Sequence, residues 1–418
     1  MRNASARLSL MMFLEFFVWG AWYVTVGNYM TAIGMTDAIF WAYTVNPIAA
    51  IAAPFFLGMV ADRFFATERV LGVMHLLGGL ALLAAPGFRD NPTLFVGMLL
   101  VHSLCFMPTL GLANSLAFTH IKSQEKQFPL IRVFGTIGWI VAGVLVSAVL
   151  HADRTATPLY VGGAAALVLG LYSFTLPHTP PPLAGQRTTA RQVLGLDALS
   201  QLASRPFTVF IVSSLLICIP LAAYYAYAPV FVNAAGIENP AFKMSFGQMS
   251  ETAFMLAMPL LFARLGVKWM LLVGMAAWVA RYALFAAAAP AAVTWMILVG
   301  IALHGICYDF FFVSGQIYVD KRSPPAIRGQ AQGFLVLVTY GVGMLIGSLI
   351  AGAIFNRVVG TGAQQSLTQW QTFWWIPAAF AAAVMVFFAL FFHDRVAEER
   401  TGADAARVGR VVAAEQQP

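Results

Sequence analysis

The sequence predicts an all-α membrane protein of twelve transmembrane helices, arranged as two halves of six. Three observations carry that expectation. Hydrophobic residues make up 60% of the 418-residue chain and charged residues only 10%, which excludes a soluble globular protein. Apolar runs of roughly twenty residues, enough to cross a core of about 30 Å at about 1.5 Å per residue, recur along almost the whole chain. The cations are shared unevenly between alternate loops, as the positive-inside rule requires.

Taken in order, span 1 is read at 8–30. Its run is too long for a secretory leader, contains Glu15 and lacks a small-x-small cleavage site, so it reads as an uncleaved helix. Span 2, at 38–61, is broken by Asn46-Pro47 and Pro54; span 3 follows at 68–86. Span 4, at 92–118, carries Pro108, and spans 5 and 6 lie at 128–150 and 157–177. Span 7, at 207–234, contains Pro220 and Pro229. Proline inside a span frees a carbonyl and bends the helix, a device for lining cavities and gating. Spans 8 and 9 are read at 242–263 and 268–288, span 10 at 292–319, span 11 at 327–356 and span 12 at 372–393. In span 11, Gly343 and Gly347 form a G-x-x-x-G suited to close helix packing.

With the N-terminus inside, nineteen of the 24 Lys and Arg residues fall on the cytoplasmic side. Only Arg89, Arg154, Lys243 and Arg357 fall outside, while Arg281 lies within span 9. That bias sets both termini in the cytoplasm and an even number of spans. It also makes the net charge of +7 a topology signal, with no nucleic-acid partner implied. Residues 178–206, with prolines at 180–182, form the longest internal polar segment and divide a first half, 1–177, from a second, 207–393. Within it Val193, Leu194, Leu196, Leu199 and Leu202 make an apolar stripe, read as a short helix lying on the membrane face. The tail, 394–418, mixes charge with small residues and is expected to be disordered. Cys105, Cys218 and Cys307 sit within spans without metal-ligand spacing and read as free thiols.

Span 10 is the stretch the rest is organised around, because His304, Tyr308 and Asp309 lie in its interior. A carboxyl inside a membrane helix costs on the order of 3 kcal/mol unless it meets a partner or a wet cavity, so such residues mark transport paths. Glu15 in span 1 and Glu251 in span 8 are the other deep acids. Two cations accompany them: Arg132 near the start of span 5, and Arg281, read as structural with its stem snorkelling outward. Gln248 and Glu251, three apart, present an amide and a carboxyl to one side. Trp139, Tyr224, Tyr225, Tyr308, Phe311 and Phe312 offer aromatic surface. Hydroxyl-rich ring compounds suit this mixture of donors, acceptors and stacking faces. An apolar cavity disfavours an ionised carboxyl and a nearby Arg favours it, so alternation between the two couples proton binding to transport. Asp309, Glu251 and Glu15 are the candidates, in that order. No long loop, nucleophile elbow, phosphate loop or metal cluster supports an enzyme.

Two six-helix halves joined by a cytoplasmic linker resemble the major facilitator superfamily, built on repeats around a midplane site. Gly58, Asp62 and Arg63 after span 2 resemble its G-x-x-x-D-R signature, a cytoplasmic gate, with a degenerate echo at 262–268 lacking the acid. More narrowly, FMPTLGLANS (106–115), IRVFGTIGW (131–139), LGLDAL (194–199), GQMSE (247–251), CYDFFFVSG (307–315) and PPAIRGQAQG (324–333) resemble the nucleoside:proton symporters of bacterial inner membranes, over essentially the whole chain. The resemblance implies a proton-coupled nucleoside importer working by alternating access, a monomer in the lipid bilayer with no cofactor beyond the coupling proton. It places the nucleoside and proton site on Arg132, Thr136, Trp139, Gln248, Glu251, Tyr308 and Asp309, with His304 standing for a family tyrosine. Span 7 departs from the family, with Leu221 and Tyr224 at positions where relatives carry amides. Those departures leave open another polar ring compound, sugar-like or a modified nucleoside, or an uncoupled facilitator.

Overall fold

A computed structural model describes residues 2–56, 64–121, 124–181, 189, 202–323, 328–360 and 366–393. Among these the chain is helical and contains no strand. Gly58, Asp62 and Arg63, the interfacial linker helix and the tail lie outside the described residues.

Nine of the described helices are long and apolar enough to cross a membrane. Span 1 runs Arg2–Tyr23 and, after a two-residue turn, Val26–Ala32. Span 2 is described over Ile39–Phe56, span 3 over Thr67–Ala84 and span 4 over Pro92–His120. Span 4 starts where it does because Asn91 accepts the Leu94 N–H and Pro92 needs no partner for a missing one. Span 5 runs Gln124–Gly143 into a π-helical turn at Val144–Val149, and span 6 is Thr157–Ser173. Span 7 is Arg205–Ala234, span 11 Arg328–Val336 through Met344–Val358, and span 12 Leu367–Phe391. The last helix starts five residues before the apolar run because Ser366 and Gln369 form a capping box, which hydropathy does not register.

Spans 8 and 9 were expected as separate segments with a loop between them. They instead form Pro240–Ala288, two helices meeting at one non-helical residue, Gly266, with φ 68° and ψ 175°. Only glycine occupies that backbone region without strain, so a single residue replaces the loop.

Span 1 packs on spans 5 and 6, and span 3 on spans 4 and 6, building the first half. Three of its helices are pinned by Glu15, which is fully buried and hydrogen-bonded to His75 Nε2 at 2.8 Å and to the Thr109 hydroxyl at 2.6 Å. The halves meet where span 2 packs on span 11, span 5 on span 8, and the end of span 1 on span 7. Polar bonds cross this interface at the end of the bundle remote from the N-terminus. Asn28 Nδ2 donates to the Pro229 carbonyl, and Asn356 Nδ2 donates to that of Asp37. His151 pairs with Asn239, and the Ala241 N–H donates to Asp153. Pro47 has no N–H for the Tyr43 carbonyl four residues earlier. Ser348 Oγ, from the other half, donates to that carbonyl at 3.3 Å.

Candidate functional site

Between the halves lies a cavity with about 870 Å³ of empty space, its open mouth included. Its wall draws on both halves. The first contributes Phe16, Trp19 and Tyr23 from span 1, Asn46 and Pro47 from span 2, Met107 from span 4, and Arg132, Thr136 and Trp139 from span 5. The second contributes Tyr225, Gln248, Glu251, His304, Tyr308, Tyr340 and Met344.

Aromatic rings shape the space. Trp19 and Trp139 meet edge to face at 5.4 Å between centroids, and Tyr23 reaches Tyr225 across the halves at 6.1 Å. Arg132 is half-buried, with its guanidinium carbon 4.0 Å from the centre of the Phe16 ring. That stack neutralises none of the charge while it fixes the direction of the N–H fork. On the opposite wall Glu251 lies 3.9 Å from His304 Nε2, and a π-helical turn starts at Asp309. A second such turn covers Leu337–Gly343, and the Tyr340 hydroxyl donates to that of Tyr308. Insertions of this kind re-aim side chains and recur at functional sites.

Of the residues singled out by sequence, Arg132, Thr136, Trp139, Gln248, Glu251, His304 and Tyr308 come together on this wall. Others do not. Tyr224 is only 1% exposed and stands behind His304, their rings stacked at 5.5 Å, and its neighbour Tyr225 reaches the cavity instead. Asp309 is fully buried off the wall, and neither of its carboxyl oxygens has a hydrogen-bond partner. Glu15 is held inside the first half by His75 and Thr109. Phe311 and Phe312 pack against Trp278.

Arg281 corrects its sequence reading. It does not snorkel outward but is fully buried, with its Nε–H donating to the Gly300 carbonyl and its guanidinium 4.0 Å from the centre of the Tyr224 ring. A cation thus backs a stack of Arg281, Tyr224 and His304 that ends at the cavity. Sequence reading missed Tyr340 altogether, and Asn46 entered only as a helix break. Phe16, Trp19 and Tyr23 were also missed, although their i, i+3, i+7 spacing places three aromatics on one helix face.

Comparison with known proteins is consistent across sequence and structure. Residues 2–397 match the model of the nucleoside H+ symporter family. The putative nucleoside transporter YegT of Escherichia coli (strain K12) is 38% identical over 406 residues, covering 94% of each chain. The nucleoside permease NupG of the same organism is 31% identical over 412 residues, covering 94% of this chain and 97% of its own. The crystal structure of nucleoside transporter NupG superposes with a TM-score of 0.84 at 29% identity, covering 94% of this chain and all of that one.

Proposed function

The chain belongs to the nucleoside H+ symporter family, and from that membership we propose that it imports nucleosides together with protons by alternating access. It is a multi-pass membrane transporter with a major facilitator fold, not an enzyme. The observation that supports this reading best is the make-up of the cavity wall. Arg132 and Thr136 of one half share the cavity with Gln248, Glu251 and Tyr308 of the other, and Trp139 adds a stacking surface. A base can stack while a ribose finds donors and acceptors, and a ligand held by both halves is carried when they rock.

Coupling rests on Glu251, which lines the cavity, and on Asp309, buried behind it without a partner. Glu15 contributes to the rigidity of the first half through His75 and Thr109 rather than to the path. The protein works as a monomer in a bacterial inner membrane, with both termini in the cytoplasm. The described bonds between the halves then lie on the outer side, and the cavity faces inward.

Uptake of labelled uridine and adenosine by cells lacking their own nucleoside transporters tests the proposal. Accumulation above the external concentration, abolished by an uncoupler, is the expected result. Undiminished accumulation after the proton gradient collapses would replace symport by a facilitator. A second reading, a sugar-like or modified-nucleoside substrate, is favoured by one feature: Leu221 and Tyr224 are buried and leave span 7 without an amide in the cavity. Xylose and modified nucleosides as competitors of uptake distinguish it.

A further inference from the structure

Asn46 occupies an unusual position. It lies on the cavity wall beside the Pro47 break in span 2, yet is only 5% exposed. Its Oδ1 accepts the Ser103 hydroxyl of span 4 at 2.7 Å, while Nδ2 is buried with no hydrogen-bond partner. An amide N–H withdrawn from water without an acceptor carries a desolvation penalty that nothing in the protein offsets. Packing alone does not account for it, since a leucine would fill the same volume without the penalty. The Ser103 bond also removes the freedom of the amide to turn over, so the unpartnered edge of this wall residue is the donor edge.

The rest of the wall shows what such a donor would meet. Arg132 supplies charged donors on the same half, and Glu251 and Gln248 supply acceptors on the other, with Gln248 Oε1 likewise buried and unpartnered. Among these groups the charged donors lie on the first half and the carboxylate and amide oxygens on the second. We infer that Asn46 is a specificity-determining residue, whose Nδ2–H, oriented by Ser103, donates to an acceptor on the heterocycle of the substrate, a carbonyl oxygen or an unprotonated ring nitrogen. This rests on the nucleoside reading of the cavity and adds to it which half reads the base edge. A neutral donor at this point favours heterocycles that present a carbonyl oxygen or an unprotonated ring nitrogen over those that lack one.

The test compares adenosine with 1-, 3- and 7-deazaadenosine, and uridine with 2-pyrimidinone riboside, as competitors of labelled nucleoside uptake in membrane vesicles. Wild type, Asn46→Leu, Asn46→Asp and Ser103→Ala are measured at equal membrane abundance. In wild type, one analogue lacking the contacted acceptor competes about threefold to tenfold less well than its parent, the range for one neutral hydrogen bond. Asn46→Leu then treats that analogue and its parent alike, and Ser103→Ala shrinks the gap. Asn46→Asp keeps the Ser103 acceptor but removes the N–H, and should also close the gap, so the test survives if the leucine variant fails to reach the membrane. Equal loss of uptake for every analogue, with the wild-type preferences intact, would reduce Asn46 to a pin between spans 2 and 4 and overturn the inference. A wild type that carries no nucleoside at all would instead defeat the nucleoside reading, a separate and distinguishable result.

Discussion

Asp153, in the loop after span 5, accepts the Ala241 N–H of span 8 at 2.9 Å and the Ser147 hydroxyl at 2.7 Å, so one carboxyl caps a helix that belongs to the other half. Burial raises this carboxyl above its ordinary range, and the two hydrogen bonds and nearby His151 pull it back only in part. The joined arrangement thus holds a proton more tightly than a parted one in which water reaches the group. Its contribution to closure is present at low pH and is lost as the pH rises through the raised value, so acidification favours the closed end. Labelling of a cysteine placed at Asn28, in a background without the native cysteines and measured relative to a free thiol at the same pH, should slow as the pH falls. Asp153→Asn should flatten that dependence. Asp153→Ala should speed labelling at every pH, by roughly tenfold or more if the Ala241 N–H is left unmet at about 1–3 kcal/mol. Identical labelling in all three proteins would remove Asp153 from the closure.

Close packing of spans 1 and 5 depends on Gly138. A Cβ there would sit 2.1 Å from the Phe13 carbonyl oxygen, a backbone atom that can move only with its helix. Gly138→Ala is expected to cost about 1–3 kcal/mol and to lower the melting temperature in detergent. Gly97→Ala, where a Cβ meets nothing within 4 Å, serves as the control and should be neutral or slightly stabilising.

The turn between spans 8 and 9 rests on the backbone of Gly266. A Cβ meets nothing within 4 Å, so any effect of Gly266→Ala comes from its φ of 68°. We expect a loss of about 1–3 kcal/mol, and Gly266→Asn should be no milder, because the tolerance of Asn for positive φ is confined to ψ of about 45° and Gly266 has ψ 175°. Equal melting of all three proteins would show that the turn adopts another conformation.

Asp309 breaks no pairing when neutralised, because neither oxygen has a partner. Asp309→Asn should therefore reach the membrane at normal or higher abundance while losing accumulation against a gradient. A well-expressed Asn protein that still concentrates uridine would exclude Asp309 from coupling.

For Arg281, the planar fork stacked on Tyr224 has no equivalent in lysine. Arg281→Lys should weaken the protein by about 0.5–2 kcal/mol and disturb uptake through His304, whereas Arg264→Lys at the turn should do neither. Wild-type melting and uptake in Arg281→Lys would show that its charge alone suffices.

Hydropathy made the described spans legible to within about six residues at their ends, because bilayer thickness and lipid impose the pattern. Span 12 escaped at one end since its start is written in Ser366 and Gln369, polar residues that read as loop. Span identity was equally legible for Arg132, Gln248 and Glu251, but helix rotation was not. Tyr224 and Tyr225 are neighbours of equal chemistry, and only packing against Arg281 and His304 decides which one reaches the cavity. Asp309 and Tyr340 fall in π-helical turns, where the 3.6-residue period used to assign faces no longer holds. Asn46 was visible only as a break because its partner, Ser103, is 57 residues away.

The bond from Ser348 to the Tyr43 carbonyl shows how a proline can lower a kinetic barrier. An acceptor inside a helix is normally already engaged, so docking a partner on it competes with the helix itself. Here Pro47 leaves the Tyr43 oxygen without its helical N–H donor, and parting the halves exchanges a serine hydroxyl for a water molecule. The fastener can be undone and remade with no unwinding of span 2. Replacing Pro47 by alanine would restore the helical bond and turn a reversible fastener into a competing one.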